Sequence, residues 1–185
     1  MTQRLLKIAI WVSIAVLAIT SMHWLINHYG VSELQDLIEQ YYWYILSAYA
    51  LLITLRGILF IPTMPAIIMM ASSLDPLVMF VLTFFATLGS AYLVCLAVDY
   101  LDMQRKIDKF SGKSLKRAQN WINSSGVAAV TGWAFFPLVF TDIIVYLARL
   151  SGMPHKHILL GIAIGEGLLI LILITVTEWL IALLL

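Results

Sequence analysis

Apolar residues run in long stretches along this chain, and most polar residues collect between them. The longest apolar stretches cover residues 8–26, 45–74, 77–98 and 158–185. A helix needs roughly 20 apolar residues to cross the hydrocarbon core of a bilayer. The pattern therefore predicts an all-α integral membrane protein. Composition agrees, because 62% of the 185 residues are hydrophobic and only 11% are charged, whereas soluble domains carry about 25% charged residues.

The first apolar stretch resembles a secretory signal, since it follows Arg4 and Lys7. It is longer than the apolar part of an ordinary signal, and no small-x-small cleavage site follows it. We predict a retained signal-anchor helix over residues 1–28 and a single membrane domain over residues 29–185. That domain begins with an amphipathic surface helix, because Ser32 is a typical N-cap and an aromatic cluster follows at 41–44.

Basic residues are concentrated in one loop, 99–126. Six of the eleven lie there: Arg105, Lys106, Lys109, Lys113, Lys116 and Arg117. Cytoplasmic loops carry such an excess, so we place this loop and the N-terminus in the cytoplasm, and the C-terminus outside a cell (inner) membrane. The loop is first a topology signal, and binding of anionic lipid headgroups is a second interpretation.

This orientation requires residues 45–74 to enter the membrane and return, because the first span ends outside and 77–98 ends inside. The stretch contains Pro62 and Pro65, which cannot continue helical hydrogen bonding. Irregular backbone at membrane depth is tolerated only where protein or a wet cavity surrounds it. We predict a re-entrant hairpin with its apex at these prolines, and a plain helix kink is the alternative.

The second half repeats the first with the opposite starting side. An apolar stretch broken at Pro137 precedes the final span, so residues 31–98 and 127–185 form an inverted repeat of re-entrant helical hairpin plus transmembrane helix. Transporters with such repeats place substrate sites between broken helices near the membrane midplane.

Four charged residues lie within these apolar segments. Arg56 costs about 2.5–3.5 kcal/mol at a helix centre. It is a phosphate ligand, the partner of an acid such as Asp142 or Glu166, or a side chain that snorkels to the interface. Asp142 is a proton relay, an ion-pair partner or a helix cap. Arg149 shares a helical face with Asp142, and it either binds a headgroup or reaches the cytoplasmic interface.

Small residues mark close helix packing. Gly161 and Gly165 allow another backbone to approach, which places Glu166 against the hairpins as a protonatable or a neutral packing group. Gly89 is a third packing glycine, and Cys95 is predicted to be a core residue. The sequence has no phosphate-binding loop, nucleophile elbow or zinc spacing, so we expect no enzymatic activity, no metal and no cofactor.

Two segments, "LFIPTMPAIIMMASSLDPLVMF" and "FFPLVFTDIIVYLARLSGMPHKHILLGIAIGEG", resemble the two halves of the DedA/VTT-domain membrane proteins. The resemblance covers roughly residues 45–175. Four positions depart from the pattern: Ala134 replaces an arginine, Phe140 a proline, Arg149 a small residue and Asp75 a glycine. The resemblance implies transport of lipid headgroups, either polyprenyl phosphates or phospholipids.

The sequence therefore leads to a lipid-transport hypothesis of the flippase or scramblase kind. Arg56, Asp142, Arg149 and Glu166 would bind an anionic headgroup or relay protons in a cleft between the hairpins, and proton coupling stays open. We expect membrane lipids as partners and no nucleic acid, and the sequence is compatible with a homo-oligomer. The alternatives are a small-solute or ion transporter, and a non-transporting assembly or biogenesis factor in which the charges only pair.

Overall fold

The computed structural model describes residues 40–59, 61, 63–71, 74–103, 113–136 and 140–184. Every regular element bounded within these ranges is a helix, which confirms the all-α prediction. The helices are α1 (Tyr42–Leu59), α2 (Met64–Ala71), α3 (Pro76–Tyr100), α4 (Lys113–Ser125), α5 (Val127–Ala134), α6 (Thr141–Leu150) and α7 (His155–Leu184). The predicted anchor, most of the predicted surface helix, Pro62, Pro137, Arg105, Lys106 and Lys109 lie outside the described residues.

The chain separates into two compact units, residues 1–46 and residues 47–185, and the second contains the features described below. Three helices of the described chain are long and apolar enough to cross a membrane: α1, α3 and residues 155–177 of α7. α3 and α7 correspond to predicted spans, whereas α1 was predicted as the first arm of a hairpin. By contrast, α2 has only eight residues, a length of about 12 Å.

α1 and α3 run parallel with a nearly constant register. The Tyr49 hydroxyl lies 2.8 Å from Thr83 Oγ1, and the Gly57 amide donates to Ser90 Oγ at 3.1 Å. The partners are thus 34 and 33 residues apart along the chain, so the two helices run in the same direction. The segment between them must therefore return toward the start of α3. This is the direction that the predicted hairpin requires, and its depth in a bilayer stays a prediction.

The second half has the same arrangement. A Cβ added to Gly161 would lie 2.7 Å from Val130 Cβ, and one added to Gly165 would lie 2.8 Å from Ala134 Cβ. α5 therefore runs parallel to α7, with partners 31 residues apart. α3 and α7 are antiparallel, because Gly167 of α7 contacts Phe84 near the start of α3, while residues near the end of α3 contact the first residue of α7. The two halves are consequently inverted.

Each short return arm packs against the long helix of the other half: α2 contacts α7, and α6 contacts α3. Several positions in the core between α3, α5, α6 and α7 are occupied by small side chains, among them Ala91, Ala134 and Ala148. Small residues let helix backbones approach where lipid provides no hydrophobic driving force between helices. Cys95 is fully buried in this core, as the sequence predicted.

Candidate functional site

The site begins where α1 ends. Pro62 follows in the sequence, and the residue before a proline disfavours the α conformation. The last turn opens accordingly, with the Ile61 amide donating to the carbonyl of Arg56 at 3.2 Å. The chain then re-enters a helix at Thr63, whose carbonyl accepts from the Ile67 amide at 3.0 Å. Arg56 thus lies in the last turn before the break, beside the start of α2.

Three charged side chains meet at this break, and we call Arg56, Asp142 and Glu166 the central cluster. Arg56 Nη2 donates to Glu166 Oε1 in a direct ion pair, and Arg56 Nε lies 4.0 Å from Asp142 Oδ1. Arg56 Nη1 also donates to Thr63 Oγ1 at 3.1 Å. The three charged side chains are only 4–7% exposed. One guanidinium therefore joins the end of α1, the start of α2, the start of α6 and the middle of α7.

The central cluster lies where both helix breaks meet. Thr63 directly precedes α2, and Asp142 lies in the first turn of α6. Helix N-termini carry a partial positive charge, so α6 favours a carboxylate at that position. Glu166 has eleven residues on either side of it within the candidate span 155–177, about 16 Å in each direction. This places the cluster at half the length of the span.

The charges of the central cluster do not balance when all three groups are ionised, because two carboxylates face one guanidinium. A buried charge without a partner costs roughly several kcal/mol of stability. Within the described chain, Arg56 Nε and Glu166 Oε2 are buried and make no hydrogen bond. The cluster therefore retains one donor and one acceptor, with which it can hold a proton or a further oxyanion.

Gly57 is a site residue that the sequence analysis missed. A Cβ at this position would lie 2.6 Å from Val94 Cγ2, 2.7 Å from Asp142 Oδ1 and 2.8 Å from Ser90 Oγ. The missing side chain therefore lets α3 and α6 approach α1 next to Arg56. The Gly57 carbonyl also lies 3.4 Å from the Tyr146 hydroxyl, which donates to it. A glycine directly after an arginine in an apolar helix is the signal that could have found it.

A buried polar stripe on α3 leads from this site toward the start of that helix. Thr83, Thr87 and Ser90 are all buried, and their spacing of four and three residues places them on one helical face. The Tyr49 hydroxyl lies within hydrogen-bond distance of Thr83 Oγ1, at 2.8 Å. Thr87 Oγ1 has no hydrogen-bond partner among the described residues. The hydroxyl spacing was readable in the sequence, and the sequence analysis did not use it.

Arg149 does not join the central cluster. Its Nε donates to Asp99 Oδ1 at 2.7 Å, and its Nη1 donates to the carbonyl of Met153 at 3.0 Å. His155 Nε2 lies 2.8 Å from Asp99 Oδ2. We call Asp99, Arg149 and His155 the helix-end cluster; its side chains are 21–32% exposed. From the sequence, Arg149 was expected either to bind a headgroup or to reach the cytoplasmic interface, and Asp99 was not among the predicted site residues.

The remaining predicted residues that the structure describes are members of neither cluster. Gly161 and Gly165 pack closely on α5, and Gly165 lies against the carbonyl of Thr131. A Cβ added to Gly89 would make only an ordinary van der Waals contact with Thr54 Cγ2, at 3.5 Å. Pro65 lies in the first turn of α2. Lys113, Lys116 and Arg117 lie on α4, where Arg117 is exposed.

The fold and the buried charges define a class: an all-helical membrane protein built as an inverted repeat, with an ionic site inside it. The family model of the VTT domain matches residues 61–178, more than half of the chain. This protein therefore belongs to the DedA family of VTT-domain membrane proteins, as the resemblance predicted. A comparison with curated proteins found no match, and a comparison with solved structures found none either.

Proposed function

We propose that this protein moves an anionic lipid headgroup, such as a polyprenyl phosphate or a phospholipid, across the bilayer without converting it chemically. The observation that carries the proposal is the central cluster: a buried arginine held by two carboxylates where two broken helices meet. A guanidinium binds phosphate oxygens through a planar, bidentate fork, so the group that now binds Glu166 can also bind a headgroup.

The mechanism exchanges one anion for another on Arg56. As a phosphate reaches the guanidinium, the Glu166 carboxylate is released and takes up a proton or moves toward solvent. Asp142 stays beside Arg56 and limits the affinity for the phosphate, so that the headgroup can leave again. The N-termini of α2 and α6 favour negative charge at the same place. The acyl or prenyl tail stays in lipid throughout.

The test measures headgroup transfer in vesicles that contain the purified protein and either a labelled phospholipid or a polyprenyl phosphate. Arg56→Ala, Arg56→Lys and Asp142→Asn are compared with the native protein, and Arg117→Lys is the matched control because Arg117 is exposed on α4. We expect transfer by the native protein and the control, and a loss of at least about tenfold in Arg56→Lys, since lysine lacks the bidentate fork. Folded native protein that transfers neither lipid would overturn the proposal.

A second candidate is a non-transporting protein in which the central cluster only stabilises the fold. The observation in its favour is the burial of Arg56, whose side chain is only 7% exposed and already paired. The double substitution Arg56→Gln with Glu166→Gln separates the two, because it removes both charges of the ion pair and leaves the net charge of the central cluster unchanged. Undiminished lipid transfer by this variant would support a purely structural cluster.

Transfer of a water-soluble solute by the native protein, without lipid transfer, would instead support a solute or ion transporter.

The orientation is part of the proposal. We place the basic loop 99–126 and the N-terminus in the cytoplasm, and the C-terminus outside the cell membrane, because of the excess of lysine and arginine in that loop. Single cysteines introduced at Arg117 and at Asp75, in a Cys95→Ala background, test it. A membrane-impermeant thiol reagent added to intact cells should label the cysteine at position 75 and leave that at position 117 unlabelled.

A further inference from the structure

The helix-end cluster connects three helices from both halves of the second unit. Asp99 lies in the last turn of α3, Arg149 in the last turn of α6, and His155 is the first residue of α7. Asp99 Oδ1 accepts a hydrogen bond from the Arg149 guanidinium, and Asp99 Oδ2 faces the imidazole of His155. The ring of His155 also contacts Tyr92 edge to face, with centroids 5.9 Å apart. These contacts hold the end of α6 against the two long helices.

α6 contributes one residue to each cluster. Asp142 in its first turn belongs to the central cluster, and Arg149 in its last turn belongs to the helix-end cluster. The two residues are seven positions apart, a distance of about 10 Å along a helix. An eleven-residue segment from Phe140 to Leu150 thus joins a buried charge site to a partly exposed ion pair. Because a short helix moves as one body, a displacement of Arg149 also displaces Asp142.

We infer that Asp99 is a positioning residue whose carboxylate acts as a latch on α6. When Asp99 binds Arg149 and His155, the end of α6 is held against α3. Asp142, at the start of α6, then stays beside Arg56. Release of the latch lets the end of α6 separate from α3 and opens the core beneath the helix-end cluster to water. Its role in transport rests on the proposed function; its effect on access to the core does not.

The protein contains its own reporter for this opening. Cys95 is its only cysteine, and it is fully buried on α3 one turn before Asp99. It shares the core with Val145 and Ala148 of α6. We therefore expect a thiol reagent to reach Cys95 from water when the end of α6 separates from α3. The rate of Cys95 labelling therefore measures how often the end of α6 separates from α3.

The experiment measures labelling of Cys95 by a membrane-impermeant maleimide in reconstituted vesicles, with reagent applied to each side in turn. We expect slow labelling of the native protein and about fivefold faster labelling of Asp99→Asn, the change expected from a loss of about 1 kcal/mol for a partly exposed ion pair. The increase should occur only from the side of the helix-end cluster. Asp99→Glu, which keeps the carboxylate, should label nearly as slowly as the native protein.

Two further variants separate the latch from a general loss of structure. Arg149→Gln removes one of the two partners of Asp99 and leaves His155 in place, so it should accelerate labelling about twofold, less than Asp99→Asn does. Asp75→Asn is the matched control, because Asp75 caps the opposite end of the same helix and asparagine caps almost as well. Unchanged labelling in Asp99→Asn, or equal acceleration from both sides with a lowered melting temperature, would overturn the inference. If Asp99→Asn labels faster but the native protein transfers no lipid, the latch is supported and the proposed function is rejected.

Discussion

The central cluster and the helix-end cluster use the same chemistry in different surroundings. Each brings one arginine to a carboxylate, and a single short helix, α6, contributes to both. The side chains of the central cluster are 4–7% exposed, whereas those of the helix-end cluster are 21–32% exposed. Water screens the ion pair of the helix-end cluster and competes for its hydrogen bonds. It does not reach the buried ion pair of the central cluster. The comparison indicates that burial, more than the identity of the residues, decides what an ion pair contributes.

Removing the arginine of the central cluster should have the largest effect on stability. Arg56→Leu leaves Asp142 and Glu166 buried without their cation, and an uncompensated buried charge costs about 3–5 kcal/mol. The measurement is the free energy of unfolding in mixed micelles. Adding Glu166→Gln should recover a large part of the loss, because it removes one of the unpaired charges. If Arg56→Leu is as stable as the native protein, pairing in the central cluster does not stabilise the fold.

Filling the space beside the central cluster should have the next largest effect. Gly57→Ala would place a methyl group less than 3 Å from atoms of three side chains, and overpacking costs about 1–3 kcal/mol. Gly132→Ala is the matched control on α5, where no atom lies within 4 Å of the added carbon. That control should gain about 0.5–1 kcal/mol, because alanine loses less backbone entropy in a helix. Equal thermal stability of the two variants would contradict the tight approach at Gly57.

Two threonines on one face of α3 test whether an unpaired polar atom weakens the region around the central cluster. Thr83→Val removes the partner of the Tyr49 hydroxyl and should cost about 1 kcal/mol. Thr87→Val removes a buried hydroxyl that has no partner among the described residues, so it should be neutral or stabilising. Melting temperatures in the same detergent would compare them. A larger loss in Thr87→Val than in Thr83→Val would show that Thr87 has an essential hydrogen bond.

The smallest effect is expected at the helix-end cluster. Arg149→Gln should lower the free energy of unfolding by about 0.5 kcal/mol, the usual contribution of an exposed ion pair. The difference from the native protein should shrink as salt is raised, since salt screens exposed charges. The effect of Arg56→Leu should be insensitive to salt. An equal cost for both arginine substitutions at all salt concentrations would contradict the role assigned to burial.

The breaks in the helices were predictable because they follow from local chemistry. The hairpin apex expected at Pro62 and Pro65 falls where α1 ends at Leu59 and α2 begins at Met64. The break expected at Pro137 lies between α5, which ends at Ala134, and α6. Proline acts on its own backbone and on the preceding residue, so its effect needs no knowledge of the neighbouring helices.

The partners of the charged residues were less predictable. The sequence analysis left Arg56 with Asp142, Glu166 or a phosphate as its partner, and the structure brings both acids to it. Asp142 and Arg149 were expected to share one helical face, yet they belong to different clusters. A helical period states which residues share a face. It does not state which helix lies opposite each turn of that face.

The sequence by itself determined the membrane class, the helix breaks and the charges within apolar segments, because each depends on hydrophobicity or backbone chemistry over a few consecutive residues. The tertiary structure alone decided that Arg56, Asp142 and Glu166 meet, that Gly57 makes room for them, and that Asp99 binds Arg149. These contacts join residues 50 to 110 positions apart. Contacts over such separations depend on how the helices pack against one another, and the small residues at their crossings determine that packing only once the whole fold is formed.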